Sequence, residues 1–124
     1  VVAESAAEGA QLSAVEYLSA EAERVELVQT MARFHTQFDI LLTPTSAYPA
    51  PPTHEDRSAP SPVRPSLAAP FSLTRQPALS IPCGVTRDGL PIGLQIVGRH
   101  FEDAVVLAVA SGYEHFRPFQ PPPL

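Results

Sequence analysis

The 124 residues suffice for one ordinary domain, and a 44% hydrophobic content with a mean hydropathy of +0.02 fits a soluble globular chain. A formal net charge of −5 without a basic block excludes a surface built to neutralise a phosphate backbone, and no apolar run approaches the ~20 residues that span a bilayer. One cysteine, Cys83, excludes an internal disulfide framework and a multi-cysteine zinc site.

The N-terminus "VVAESAAEGA" has neither a basic start nor an apolar signal core. With the single cysteine, this points to a reducing, cytoplasmic setting. Val1 stands where an initiator methionine would be, so it is expected to be a cut or processed end. Ser13 and Glu16 form a capping-box pattern, in which each side chain satisfies the other's free backbone N–H. Val15, Leu18, Ala22, Val25, Val28 and Ala32 then recur at helical spacing. They predict an amphipathic helix ending near Gln37, its apolar stripe packed on its own protein or, alternatively, on a partner.

Ile40, Leu41 and Leu42 form a short apolar run stopped by Pro44, which predicts an interior strand buried on both faces. Residues 44–76 show no periodicity. Eight of the chain's 15 prolines lie between Pro44 and Pro70, each fixing φ and removing a backbone donor. A structureless loop of this length is uncommon in a small domain, so the chain is expected to be part of something larger. Leu79, Ile81, Cys83 and Val85 alternate with small residues, Asp88-Gly89 signals a tight turn, and Ile92, Leu94 and Ile96 resume the alternation. These predict a β-hairpin, irregular or at an edge because Pro82 and Pro91 cannot donate ladder hydrogen bonds. The small residues opposite bulky ones predict another backbone close by. Glu102 and Asp103 suit the start of a final helix, along which Val105, Val106, Val109, Ala110 and Tyr113 make a stripe ended by Pro118. The order is helix, strand, long Pro-rich loop, β-hairpin, helix: an α/β arrangement.

Few residues here point to chemistry. Cys83 lies in a predicted strand with no cation or helix N-terminus to lower its pKa, so it reads as structural, though a cysteine hydrolase remains an alternative. His35, His54, His100 and His115 follow no ligand spacing, and no metal site is expected. No nucleophile elbow and no phosphate-cradling glycine loop occur. Thr43 and Thr45 flank Pro44 at a strand end, where α/β sheets present ligand contacts, but they also suit local turn hydroxyls. Gln95, polar within an apolar strand, needs amide partners if buried.

Three stretches carry a resemblance. "FDILLTPTSAYPAPP", "PFSLTRQPALSIPCG" and "GLPIGLQIVGRHFEDAVVLAVASGYE", in this order, resemble the C-terminal part of the amidase signature family, and "LSAVEYLSA" in the preceding helix matches as well. The resemblance implies that residues 1–124 are the C-terminal segment of an amidase-signature domain, a large mixed β-sheet between helical layers. It also implies hydrolysis of linear amide bonds by a serine nucleophile, a second serine and a lysine, without metal or organic cofactor. Those three residues belong to the family's N-terminal part. This sequence has no lysine and none of the Gly/Ser-rich stretch, so no catalytic residue carries over and the chain alone is expected to be inactive.

By resemblance, Pro44, Thr45, Ser46, Phe71 and Ser72 are candidates for lining the substrate pocket. The implied partners are the remainder of an amidase chain, a small amide substrate and, as an assembly, a homodimer, with neither nucleic acid nor membrane. Two departures stand out: Ser72 where asparagine is usual and Arg75 where glycine is usual. Arg75 would either strain the backbone or meet an acidic substrate group. The loop Pro49–Pro65 lacks the longer, Asp-containing pattern typical of the A subunit of glutamyl-tRNA amidotransferase, which favours a general amidase over that component. The reading outside the enzyme class is a non-catalytic, amidase-derived binding module.

Overall fold

A computed structural model describes residues 2–51 and 66–118. The elements run α1 (Val2–Gly9), α2 (Ala14–Phe34), β1 (Leu41–Pro44), α3 (Ala69–Thr74), β2 (Ala78–Val85), β3 (Pro91–Val97) and α4 (Asp103–Phe116). The α/β class and the element order match the sequence expectation, with α1 and α3 added.

The capping box of α2 is formed. Ser13 N–H donates to Glu16 Oε2 at 2.8 Å, and Glu16 N–H donates to Ser13 Oγ at 3.2 Å. The Ser13 hydroxyl, which also donates to the carboxylate at 2.7 Å, holds the Glu16 carboxyl below its usual range, with the Ser13 backbone N–H acting in the same direction. Packing of α2 differs from the expectation. None of its residues is buried, and Val15 and Leu18 are 73% and 64% exposed. The helical period is present, but this chain supplies little to cover the stripe.

The three described strands form an antiparallel sheet in the order β1-β3-β2. Among the three described strands β1 is therefore an edge, and its burial alternates along the strand. Leu42 pairs with Ile96 on the face that α4 covers, yet it is 55% exposed, because α4 packs over β2 and β3. The apolar run alone could not reveal how far that covering layer extends.

The hairpin follows its turn chemistry. Gly89 takes φ +79°, the left-handed conformation that favours glycine. Gly89 N–H donates to Thr86 O at 3.0 Å, Thr86 N–H to Leu90 O at 2.8 Å, and Leu90 N–H to Thr86 Oγ1 at 3.0 Å. The irregularity expected at Pro82 is a bulge: Pro82 pairs with Gly93 and Gly84 with Ile92, leaving Cys83 as the extra residue.

The core lies between the sheet and α4, where Ile81, Ile96, Val106 and Ala110 cluster with Ile40, Leu79, Leu94 and Tyr113 packed against them. Gly98 sets the closeness of α4, since a Cβ there would lie 2.5 Å from Val106 Cγ2. On the surface, Arg99 Nη2 meets Asp39 Oδ1 at 2.6 Å, joining the α2–β1 connection to the β3–α4 turn.

The segment read as one loop, residues 44–76, contains α3. Six residues are too short to display a helical period, and Pro70 sits in the first turn, where its missing N–H costs nothing. Residues 52–65 of that loop lie outside the described residues. α3 ends on Arg75 at φ 58°, ψ 33°, with Gln76 N–H closing back to Phe71 O at 3.1 Å, as in a Schellman end.

Candidate functional site

Paired residues in a sheet share a face, and alternate residues share it along a strand. Leu42, Ile81, Leu94 and Ile96 therefore face α4, while Thr43, Ser80, Gly93 and Gln95 belong to the opposite, polar face. Gln95 is 3% exposed and satisfied: its Nε2 donates to Thr43 Oγ1 at 2.9 Å and to Leu67 O at 3.2 Å. It braces the approach to α3 against β1, which gives the amide the partners that burial demands.

Thr45 extends β1 by one more rung, its N–H donating to Gly93 O at 2.9 Å. Its hydroxyl lies 2.6 Å from Ser80 Oγ, so hydroxyls from the two outer strands meet across the central one. Gly93 makes the meeting feasible, because a Cβ there would lie 2.7 Å from Thr45 Oγ1 and 2.9 Å from Ser80 Oγ. Within this chain the close neighbours of Gly93 are thus the two hydroxyls. At Gly84 nothing lies within 4 Å.

The hydroxyl pair sits where two clefts adjoin. The first, about 760 Å³, runs along Ser46–Pro51 to Pro82 and Ile92. The second, about 610 Å³, lies beside α3 and includes Phe71, Ser72, Arg75, Phe101 and Asp103. Thr45 and Ser80 line both.

Of the residues expected to line a pocket, Thr45 and Ser46 line the first cleft, and Thr45, Phe71 and Ser72 the second. Pro44 lines neither. Phe71 is buried and Ser72 exposed. Ser46 is partly engaged in its own turn, donating to Tyr48 O at 2.9 Å and accepting from Tyr48 N–H at 3.2 Å. Sequence reasoning missed Ser80 and Gly93. Their signal was the small-residue face of the hairpin, which identifies a close approach without saying to what.

The backbone reading of Arg75 finds a physical counterpart. Its left-handed φ is one that glycine adopts without cost, and its side chain lines the second cleft with Asp103. Its charge also reaches Glu21, whose carboxyl is held below its usual range chiefly by Arg24, which donates at 3.0 and 2.8 Å.

Cys83 is partly exposed on the bulge. His35 is buried at the end of α2, its Nδ1 3.0 Å from Phe38 O, and the His100 ring lies tilted against Phe101. Among the described residues, no three His, Cys, Asp or Glu side chains gather as metal ligands, and no helix is long and apolar enough to cross a membrane. His54 lies outside the described residues.

A family model described as Amidase matches residues 2–107. The chain belongs to the amidase family. Its curated relatives include the A subunit of a glutamyl-tRNA(Gln) amidotransferase from Koribacter versatilis, 37% identical over 103 residues, covering 80% of this chain and 21% of the relative. An acylamidase of Rhodococcus erythropolis is 34% identical over 122 residues, covering 90% of this chain and 25% of the relative. A solved amidase superposes with a TM-score of 0.74 at 32% identity, over 93% of this chain and 28% of that one. A bacterial aryl acylamidase of the amidase signature family, 24% identical with a TM-score of 0.79 over 90% of this chain and 25% of that one, shares the fold. This amidase chain thus spans about a fifth to a quarter of the curated relatives it matches.

Proposed function

We propose that the chain is the C-terminal part of an amidase that hydrolyses linear amide C–N bonds to a carboxylate and ammonia or an amine. It supplies scaffold and part of the substrate pocket, through Thr45, Ser46, Phe71 and Ser72, while a serine–serine–lysine set comes from polypeptide N-terminal to it. The observation that carries this reading is the match of 93% of this chain to 28% of a solved amidase, in a sequence without lysine.

In the proposed reaction the nucleophilic serine attacks the amide carbon while its proton passes through the second serine to a neutral lysine. Backbone N–H groups hold the tetrahedral oxyanion. Collapse breaks the C–N bond, the leaving amine takes the proton, and water then hydrolyses the acyl-serine ester. The experiment is to compare residues 1–124 with the product of the complete reading frame, measuring ammonia or aniline release from simple amides. The longer product should hydrolyse and the short one should not. Hydrolysis by residues 1–124, lost in Cys83→Ser, would replace this reading with a cysteine hydrolase.

A second reading is the A subunit of a glutamyl-tRNA amidotransferase, favoured by the 37% identity to the Koribacter protein. It predicts activity on glutamine that requires partner subunits and mischarged tRNA. The composition of the loop Pro49–Pro65 speaks against it, as does the longer match to the acylamidase, 122 residues against 103.

A further inference from the structure

We infer that the Thr45–Ser80 hydroxyl pair is an amide-binding subsite, and that the apolar cleft beside it selects an uncharged alkyl or aryl amide. The inference rests on the amidase reading above and adds the substrate class and the residues that recognise it.

The hydrogen-bond inventory leads to this. Two hydroxyls carry two protons and four lone pairs. At 2.6 Å one proton is committed between the oxygens, leaving one O–H to donate and lone pairs to accept. An amide presents the complement, a carbonyl that accepts and an N–H that donates. Gly93 keeps the strand beneath the pair free of a side chain that would push the hydroxyls apart, and Ser80 is exposed to an incoming group.

The flanking cleft supplies the selectivity. Tyr48, Pro49, Pro51, Pro82, Pro91 and Ile92 give it an apolar wall, and no Asp, Glu, Lys, Arg or His is among its described lining residues. A hydrocarbon or aryl group loses little there on leaving water. The charged ends of an amino-acid amide such as glutamine would lose hydration there without gaining a counter-charge from the described lining residues. The charged side chains, Arg75 and Asp103, line the other cleft.

If the hydroxyl pair served only to tie β1 to β2, removing it would lower the melting temperature and leave ligand affinity intact. The test uses protein from the complete reading frame, with acetanilide as probe and glutamine as comparison, binding being followed by calorimetry and saturation-transfer NMR. Acetanilide should bind at least tenfold more tightly than glutamine. Thr45→Val and Ser80→Ala should each weaken it about fivefold, the worth of one neutral hydrogen bond, and Thr45→Ser should restore it. If Thr45→Val does not fold, Ser80→Ala reads the same pair at an exposed position. Absence of acetanilide binding, equal binding of glutamine, or unchanged affinity in both variants overturns the inference. Turnover is read separately. Binding that depends on the hydroxyls without hydrolysis would remove the amidase reading and keep the subsite, whereas hydrolysis with affinity indifferent to both variants would remove the subsite alone.

Discussion

Arg75→Gly should stabilise the protein. Arg75 ends α3 at φ 58°, ψ 33°, a conformation that costs an L-residue roughly 1–2 kcal/mol through the clash of its Cβ with the following carbonyl. Glycine escapes that clash but loses more backbone freedom on folding, roughly 0.5–1 kcal/mol. The expected net gain is therefore about 0.5–1 kcal/mol. Arg75→Ala separates backbone from charge, since alanine removes the guanidinium yet keeps the Cβ. Urea unfolding of all three proteins, at a salt concentration that screens Arg75 from Glu21, should place Gly above Arg and leave Ala near Arg. If Ala gains as much as Gly, the arginine's charge was the destabilising element and strain at the αL position is not the cause. If neither gains, the end of α3 relaxes at no cost and the αL conformation carries no energetic weight.

Gly98→Ala forces a Cβ to within 2.5 Å of Val106 Cγ2 and should cost about 1–3 kcal/mol; Val106→Ala in the same protein should recover part of that, a coupling measurable in a double-mutant cycle. Gln95→Leu removes the donor to Thr43 Oγ1 and Leu67 O and should cost about 1–3 kcal/mol, with the loss of unfolding free energy in urea as the readout. Glu16 has its carboxyl held below the ordinary value of 4.5 by Ser13, so its stabilising effect is full above that value and disappears as pH falls through the lower folded pKa. The difference in melting temperature between the native protein and Glu16→Ala should accordingly be constant near neutral pH and shrink below about pH 4.5; a gap that widens in acid would refute the sign. Residues 1–124 in isolation should self-associate through the open α2 stripe and the sheet edges, and Leu18→Glu with Val25→Lys should reduce the association seen by sedimentation.

What the sequence disclosed depended on how locally each feature is encoded. The capping box needs only Ser13 and Glu16, the turn only Asp88-Gly89, and the bulge follows from Pro82 lacking an N–H, so each was legible from a few neighbouring residues. Gln95 was legible as a polar residue that needs partners once buried, though the partners, 52 and 28 residues away in sequence, were not. α3 escaped notice because six residues cannot show a period, and its capping φ falls on an arginine where a glycine would have signalled it. The strand Leu41–Pro44 was found, and among the described strands it lies at an edge. An apolar run reports affinity for a covering layer, and only the topology shows that α4 covers β2 and β3 and leaves Leu42 open. The Thr45–Ser80 pair is the extreme case, since the two hydroxyls are 35 residues apart and meet only because β3 lies between their strands.

The same sheet therefore serves two chemistries through its period of two. Even-numbered residues of β3, Leu94 and Ile96, carry the apolar contact with α4, while odd-numbered Gly93 and Gln95 carry the hydroxyl pair and the brace to α3. A one-residue slip of β3 would exchange the two faces, setting the Gln95 amide against the apolar side of α4 and away from its partners Thr43 and Leu67. The register that builds the core is thus the register that brings Thr45 and Ser80 together. The prolines act on the same variable. Thr45 adds the last rung after Pro44, and Pro82 opens the bulge two residues after Ser80, so regular pairing gives way just beyond the hydroxyl pair on both outer strands. That interruption leaves room for the two clefts to adjoin there, at a floor whose geometry is set by the most buried of the described strands.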